Sequence, residues 1–310
     1  MTIVTRDYRV ASGRDDLAVL LRNKHARTGG PPLLFVHGAT YPSTVTFDYP
    51  LDGQSWMDRL AAAGLDAWCI DLPGYGGADR PPEMSQPAAA HGPLVDTDEA
   101  VRAVRRAVDF ICATRGVAAL DLIGYSWGTA ICGQVAGEAP AQVRRLVLAG
   151  ALWTLTGAQI AVDGPLGAWR LVDAAATARR WTINLDAAQR AAIAPPGRFL
   201  AWAEAAVASD PDSARHTPPA LRAPTGVVHD VTTRWMRGIP TWDPGRVRCP
   251  TLVVVGEWDQ ETTVAQGSEV FARLRGAASR RLCVIGAATH LMLLEEQRGQ
   301  LYEVVESFLL

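Results

Sequence analysis

Three side chains spread along the sequence could together catalyse acyl transfer: Ser126, Asp259 and His290. A serine hydroxyl is a poor nucleophile at neutral pH until a neighbouring base takes its proton, and histidine is the usual base. A carboxylate bonded to the far side of the imidazole orients the ring and stabilises its charged form. We therefore predict that Ser126 is a nucleophile, that His290 is its general base and that Asp259 is the acid that orients the base.

The candidate nucleophile lies at the centre of a Gly-Tyr-Ser-Trp-Gly pentapeptide, residues 124–128. This pentapeptide follows an apolar run at residues 120–123, which predicts a buried strand, and it opens a helical segment. A strand that turns abruptly into a helix strains the serine backbone and brings strand and helix close together, so glycine is needed two positions either side. The helix start also places partial positive charge beside a developing oxyanion. The setting predicts a nucleophile elbow.

The candidate base is one of six histidines. His290 follows the last apolar run, residues 281–285, and a short loop, and it precedes an apolar segment at residues 291–294 that predicts a helix. His290 follows the last predicted strand, and the other two candidates lie earlier in the chain. This order favours a catalytic role for His290 over a structural one.

The candidate acid lies just past the end of another predicted strand, at residues 251–255. Asp259 is the preferred residue, and Glu257 and Glu261 in the same loop remain alternatives. The order along the chain is then Ser, Asp, His, which differs from the order in chymotrypsin and in subtilisin.

Short apolar runs bounded by turn residues predict the strands that position these side chains. The runs lie at residues 33–36, 67–70, 120–123, 146–148, 251–255 and 281–285. Helical patterns separate most of them, and the clearest, at residues 97–115, has acidic residues in its first turn and Gly116 just past its end. This alternation predicts an α/β fold with a mostly parallel central sheet and helices on both faces. Runs at residues 8–10 and 17–21 predict an antiparallel lead-in hairpin.

The alternation stops after Gly150 and resumes near Cys249, which indicates an inserted segment. This segment has predicted helices at residues 166–178, 187–193 and 198–208, broken by prolines, and it holds six of the ten tryptophans. Open α/β sheets bind ligands at the carboxyl edge of their strands. We therefore predict a helical cap over that edge.

The insertion divides the chain into a first core part (1–150), a cap (151–245) and a second core part (246–310). The cap is expected to select the substrate, because it supplies an apolar wall above the nucleophile. Two aromatic residues are predicted to line the pocket: Trp153, just past a strand end, and Tyr41.

These motifs together resemble the α/β-hydrolase superfamily over nearly the whole chain. A His-Gly-Ala-Thr segment, residues 37–40, follows the first predicted parallel strand and is similar to the family's His-Gly-x loop. The resemblance implies that the backbone N–H groups of Ala39 and Trp127 form an oxyanion hole and that the cap is inserted after the sixth strand. Serine at the elbow separates this chain from the similar epoxide hydrolases and haloalkane dehalogenases, which have aspartate there.

The tryptophan after the nucleophile is similar to that of proline iminopeptidase-like members of the family. Those members carry a His-Gly-Gly-Pro-Gly loop, whereas this chain has His-Gly-Ala-Thr-Tyr at residues 37–41. The difference disfavours an aminopeptidase.

Charge and composition argue against several other classes of protein. The 30 Lys and Arg residues nearly balance the 32 Asp and Glu residues, so a surface for nucleic acid or anionic membrane is not expected. No secretory signal and no apolar run long enough to span a membrane is evident in the sequence. The five widely spaced cysteines predict reduced thiols in a cytoplasmic protein. We expect neither a metal nor an organic cofactor.

The predicted activity is hydrolysis of an ester, lactone or thioester of a small, largely apolar substrate through an acyl-enzyme on Ser126. An acyltransferase, thioesterase or aminopeptidase that uses the same three residues is an alternative. A ligand-binding member of the fold without hydrolytic activity is another. The sequence identifies neither the substrate nor the oligomeric state.

Overall fold

The structure is a computed structural model that describes residues 2–14, 16–26, 30–155 and 164–310. The strands in these residues are β1 (Val4–Ala11), β2 (Ala18–His25), β3 (Pro32–Val36), β4 (Asp66–Asp71), β5 (Leu120–Tyr125), β6 (Val143–Ala149), β7 (Trp169–Asp173), β8 (Ala220–Pro224), β9 (Thr251–Gly256) and β10 (Arg280–Ile285). Eight of them form one sheet in the order β1-β2-β4-β3-β5-β6-β9-β10. The remaining two, β7 and β8, form a separate antiparallel pair.

Only one edge of the large sheet is antiparallel. The β1–β2 and β2–β4 pairs are antiparallel. The other five pairs of neighbouring strands in this sheet are parallel. The β1–β2 pair is the predicted lead-in hairpin. The mostly parallel sheet that the sequence predicts is therefore confirmed.

Helices cover both faces of this sheet. The α-helices in the described residues are α1 (Ser43–Thr46), α2 (Trp56–Ala62), α3 (Thr97–Arg115), α4 (Trp127–Glu138), α5 (Ala174–Trp181), α6 (Ala187–Ile193), α7 (Arg198–Ala208), α8 (Gly226–Thr233), α9 (Val264–Arg273) and α10 (Arg298–Leu309). In β3, Leu34 and Val36 belong to a hydrophobic cluster with residues of α3 and α4, whereas Leu33 and Phe35 belong to a cluster with residues of α2 and α10. Because successive strand side chains point to opposite faces, the two clusters lie on opposite sides of the sheet.

The longest helix, α3, begins and ends where the sequence predicts. Asp96 caps its start, since the side chain accepts a hydrogen bond from the Glu99 N–H. Gly116 ends it in the left-handed conformation, at φ 65°, which glycine adopts without steric cost.

The cap follows the sixth strand, as predicted, but it is not wholly helical. The helix predicted at residues 166–178 is wrong in its first half, because Trp169–Asp173 is strand β7 and pairs with β8. The helix α5 begins only after Asp173, whose side chain accepts a hydrogen bond from Ala176 N–H as its N-cap. The other predicted cap helices correspond to α6 and α7. Part of the predicted cap, residues 156–163, lies outside the described residues.

The segment after His290 is also shorter than predicted. Residues 291–294 contain a single 3-10 turn, Met292–Leu294, whose side chains are all buried. The last helix, α10, begins at Arg298.

None of the helices in the described part of the chain has both the length and the apolar character needed to cross a membrane. All five cysteines are free thiols, and four of them are buried. Burial raises the pKa of Cys132 above its usual range, so this thiol is held in its neutral form.

Candidate active site

Ser126 lies at the turn between β5 and α4 in a conformation that few residues other than glycine adopt. Its φ is 54° and its ψ is −120°. A Cβ on Gly124 would lie 2.4 Å from the Gly128 carbonyl oxygen, and one on Gly128 would lie 2.2 Å from that of Val36. The structure thus has the sharp strand-to-helix turn, and the requirement for two glycines, that the pentapeptide predicts.

The sheet brings the other two predicted side chains to the same edge. β9 and β10 are parallel neighbours, with Gly256 opposite Ile285, so the loops that carry Asp259 and His290 leave the sheet side by side. His290 Nε2 lies 2.8 Å from Ser126 Oγ, and His290 Nδ1 lies 2.8 Å from Asp259 Oδ2. In this arrangement Nδ1–H donates to the carboxylate and Nε2 accepts from the serine hydroxyl.

Asp259 is fixed by donors that the sequence did not predict. The backbone N–H groups of Glu261 and Thr262 each donate to Oδ1 at 2.8 Å, and Thr262 Oγ1 donates to Oδ2 at 2.8 Å. Burial alone raises the pKa of Asp259, but the charge and hydrogen bond of His290, together with the Thr262 donors, lower it overall. The carboxylate is therefore ionised where it meets the imidazole.

The two alternative acids have other partners. Glu257 accepts the Ala287 N–H at 2.9 Å, away from the imidazole. Glu261 pairs with Arg180 at 2.5 Å and approaches His290 only on the Nε2 side, at 3.8 Å. The position on Nδ1 that orients a base is therefore occupied by Asp259.

The charges around His290 favour its protonated form. Burial lowers the pKa of His290, but the carboxylates of Asp259 and then Glu261 outweigh burial and raise the pKa to about 9. Arg180 opposes these carboxylates in part. The site thus stabilises the imidazolium that forms when a base takes a proton.

Two loops that follow β3 and β5 converge beside the nucleophile. Val36 pairs with Gly124, so the residues after β3 leave the sheet next to the elbow. A Cβ on Gly38 would lie 2.9 Å from Ser126 Cβ, which shows how closely this loop approaches. Ala39 and Trp127 line one cavity with Ser126, and neither backbone N–H donates to an acceptor in the described residues. Their position is consistent with the predicted oxyanion hole, which stays a prediction.

His37 supports the shape of this loop. Its ring is fully buried, and burial lowers its pKa to about 4, so it is neutral. Nδ1 lies 2.7 Å from the Gly38 carbonyl oxygen, to which it donates, and Nε2 accepts the Leu72 N–H at 3.2 Å.

Two adjoining cavities open at Ser126. The first, of about 670 Å³ with its open mouth included, lies beneath α5 and the loop of Asp259, and Tyr41 is among its lining residues. The Tyr41 hydroxyl donates to Thr177 Oγ1 at 2.9 Å, which holds the ring between core and cap. The second cavity, of about 1770 Å³ with its open mouth included, is bounded mainly by apolar residues: Leu152, Leu155, Leu166, Ile183, Val227, Val228 and Val231.

Trp153 does not line either cavity, which contradicts its predicted role. The indole N–H donates to the Trp242 carbonyl oxygen at 3.0 Å, and the guanidinium of Arg273 stacks 4.3 Å from the ring centre. These contacts turn the ring towards the core, and the neighbouring Leu152 and Leu155 reach the cavity instead.

Several residues of the site were not predicted from the sequence. Arg170 and Arg180 of the cap line the second cavity, although the sequence indicates an apolar wall there. Glu295 is fully buried and accepts hydrogen bonds from Thr289, next to His290, and from the indole of Trp181 in the cap. The only sequence signal for Glu295 is an acidic residue directly after a buried apolar segment.

No group of three or more His, Cys, Asp and Glu side chains in the described ranges is arranged to hold a metal ion.

Comparison with known proteins identifies the fold. The model of the alpha/beta hydrolase fold family matches residues 31–297. The solved structure of 2-hydroxy-6-oxo-6-phenylhexa-2,4-dienoate hydrolase from Rhodococcus sp. strain RHA1 is similar at a TM-score of 0.64, with 18% identity and coverage of 100% of both chains. A hydrolase from Pseudomonas aeruginosa PA01 has a TM-score of 0.61 at 20% identity, with 98% of each chain covered. A serine hydrolase involved in carbazole degradation has a TM-score of 0.61 at 19% identity, with 99% of each chain covered. No curated protein matches this chain in sequence.

Proposed function

Since this chain belongs to the α/β-hydrolase family, we propose that it is a serine hydrolase that cleaves an ester, lactone or thioester through an acyl-enzyme on Ser126. One observation supports this most strongly: the hydrogen-bonded chain from Ser126 through His290 to Asp259, with both contacts at 2.8 Å, at the base of a cavity. In this geometry the histidine can take the proton of the serine hydroxyl, which makes the oxygen a nucleophile.

In the acylation half of the reaction, Ser126 Oγ attacks the carbonyl carbon while His290 Nε2 takes the hydroxyl proton. Asp259 stabilises the imidazolium through Nδ1–H. The N–H groups of Ala39 and Trp127 stabilise the oxyanion of the tetrahedral intermediate, each contributing about 3 kcal/mol. The bond to the leaving group then breaks, and the leaving oxygen or sulfur takes the proton from His290 Nε2.

In the deacylation half, water replaces the leaving group. His290 takes a proton from the water as its oxygen attacks the acyl carbon, and a second oxyanion forms in the same place. The bond to Ser126 Oγ breaks, Oγ regains the proton from His290, and the carboxylic acid product leaves.

The cavity suits an acyl group with an apolar portion better than a free amino terminus. The apolar part of its walls is mainly leucine and valine side chains, and its charged lining includes two guanidinium groups, from Arg170 and Arg180. A substrate ammonium would be repelled by these cations, and Glu261 is already paired with Arg180. These observations disfavour an aminopeptidase, whereas transfer of the acyl group to an alcohol or amine would use the same steps.

The proposal is tested by intact-protein mass after treatment with a fluorophosphonate, together with turnover of nitrophenyl esters of increasing acyl length. Wild-type protein should gain one phosphonyl group and turn over at least one ester, and Ser126→Ala should do neither. Ser85→Ala is the matched control, because the Ser85 hydroxyl bonds to the Pro82 carbonyl on the surface. Folded wild-type protein that neither labels nor hydrolyses any ester would overturn the proposal.

A further inference from the structure

One cation of the second cavity forms no ion pair within the described part of the chain. Arg170, on β7, contributes to the cavity lining with Ser126. Its guanidinium donates to Thr40 Oγ1 at 2.5 Å, and it forms no ion pair with a carboxylate of the described ranges, since the charge of Glu261 reaches it only from beyond ion-pair distance. Burial, and secondly the charge of Arg180, lower the pKa of Arg170.

Arg222, on the partner strand β8, is another arginine of the cap and differs from Arg170 because it has carboxylate partners. It is 7% exposed, and it forms ion pairs with Asp210 at 2.8 Å and Asp212 at 2.7 Å. Arg170 is itself half-buried, and removing a charge even partly from water without such a partner is unfavourable. An unpaired guanidinium beside a cavity therefore indicates that an anion from outside the chain completes the site.

The other charged groups in the cavity leave Arg170 as the available binding group. Arg180 is neutralised by Glu261, at 2.5 Å. Arg170 is in turn anchored to Thr40, the residue that follows the predicted oxyanion donor Ala39. An anion bound to Arg170 would thus be held in a fixed relation to the reacting carbonyl group.

We propose that Arg170 binds a carboxylate of the substrate, so that the substrate is an acyl compound with a carboxylate in addition to its scissile bond. The planar guanidinium matches a carboxylate through two parallel hydrogen bonds. A single unpaired positive charge balances a single carboxylate, and the leucine and valine walls contact the carbon chain between the two groups. This inference rests on the proposed function and deepens it.

The first test compares matched esters. Mono-nitrophenyl esters of succinate, glutarate, adipate and pimelate are measured beside nitrophenyl esters of neutral acyl chains of equal length. For the best chain length, the wild-type kcat/KM of the carboxylated ester should exceed that of its neutral counterpart by at least tenfold. In Arg170→Gln this ratio should fall to about one, and in Arg170→Lys it should be intermediate. The ratio cancels any general loss of activity in the variants.

Arg179→Gln is the matched control, since it removes one positive charge from the exposed face of α5 and should leave the ratio unchanged. A wild-type ratio near one, or a ratio that is the same in Arg170→Gln as in wild type, would overturn the inference.

The second test measures binding without turnover. Ser126→Ala should bind 5-oxohexanoate, detected by calorimetry, and should bind 2-hexanone at least tenfold more weakly. Adding Arg170→Gln should remove this difference. If Ser126→Ala binds the carboxylated ketone more tightly but the wild-type protein is not labelled by the fluorophosphonate, the subsite is supported and the hydrolase is rejected. If the wild-type protein is labelled but Ser126→Ala shows no preference for the carboxylated ketone, the subsite alone is rejected.

Discussion

The carboxylate of Glu261 lies 3.8 Å from His290 Nε2, on the edge of the ring that faces the nucleophile. This is a second negative charge beside the base, in addition to Asp259 on the opposite edge. Because only neutral imidazole can take the serine proton, the relationship has a consequence for the pH dependence of activity.

We expect kcat/KM for a neutral ester to rise with pH through an inflection near pH 9 and to level off above it, since the pKa of His290 is raised to about 9. Replacing Glu261 with Gln removes one of the charges that raise this pKa, so the inflection should move to lower pH. Arg180→Gln removes a cation that lowers the same pKa and should move the inflection to higher pH. Measured pH profiles of the two variants that shift in the same direction would contradict this account.

Thr262 should act as a positioning residue for the acid. Thr262→Val removes the hydroxyl that donates to Asp259 Oδ2 but keeps the backbone N–H on Oδ1 and the shape of the side chain. The loss of one hydrogen bond to a charged group corresponds to about tenfold in kcat, with KM little changed. Thr233→Val, at an exposed hydroxyl bonded within α8, is the control. An equal effect of both variants on kcat would exclude this role.

Gly38 should tolerate no side chain. In Gly38→Ala the new Cβ would meet Ser126 Cβ at 2.9 Å, so either the nucleophile or the oxyanion loop must move. A displacement of this kind at a reacting group costs about a hundredfold in rate. Gly299→Ala, which adds a Cβ with no atom within 4 Å, should leave kcat unchanged. The prediction is checked by comparing kcat and thermal unfolding, and normal activity in Gly38→Ala would disprove it.

Glu295 should link the stability of the cap to that of the catalytic loop. Its two oxygens accept hydrogen bonds from Thr289 N–H, Thr289 Oγ1 and the Trp181 indole. In Glu295→Gln one oxygen becomes an NH₂ group that faces a donor, which should lower the free energy of unfolding by about 1–3 kcal/mol. Exposed Glu303→Gln is the control. Urea unfolding followed by tryptophan fluorescence provides the measurement, and equal midpoints for the two variants would contradict the link.

The core and its three candidate side chains could be predicted because their signals are local. The glycines of the elbow, the buried runs and the loop after each strand are each readable within a few residues of Ser126, Asp259 or His290. Parallel pairing then brings the carboxyl ends of the strands together without further information.

The cap could be predicted only in outline, because its contacts join distant segments. β7 is half-exposed, and its partner β8, about fifty residues later, is buried but contains Arg222 and Pro224, so neither strand has a continuous apolar run to identify it. The orientation of Trp153 depends on a carbonyl group at Trp242. Likewise, Arg170 has the sequence pattern of a surface arginine, and only the folded cap shows that it faces a cavity.

The positive φ of Ser126 means that folding and chemistry make opposite demands at one position. A left-handed backbone there costs a residue with a side chain about 1–3 kcal/mol, and glycine would remove most of that penalty. Ser126→Gly and Ser126→Ala are equally without a nucleophile, yet the glycine variant should be the more stable of the two. The serine side chain at this turn therefore lowers the free energy of unfolding of the protein, and selection for stability alone would replace the serine.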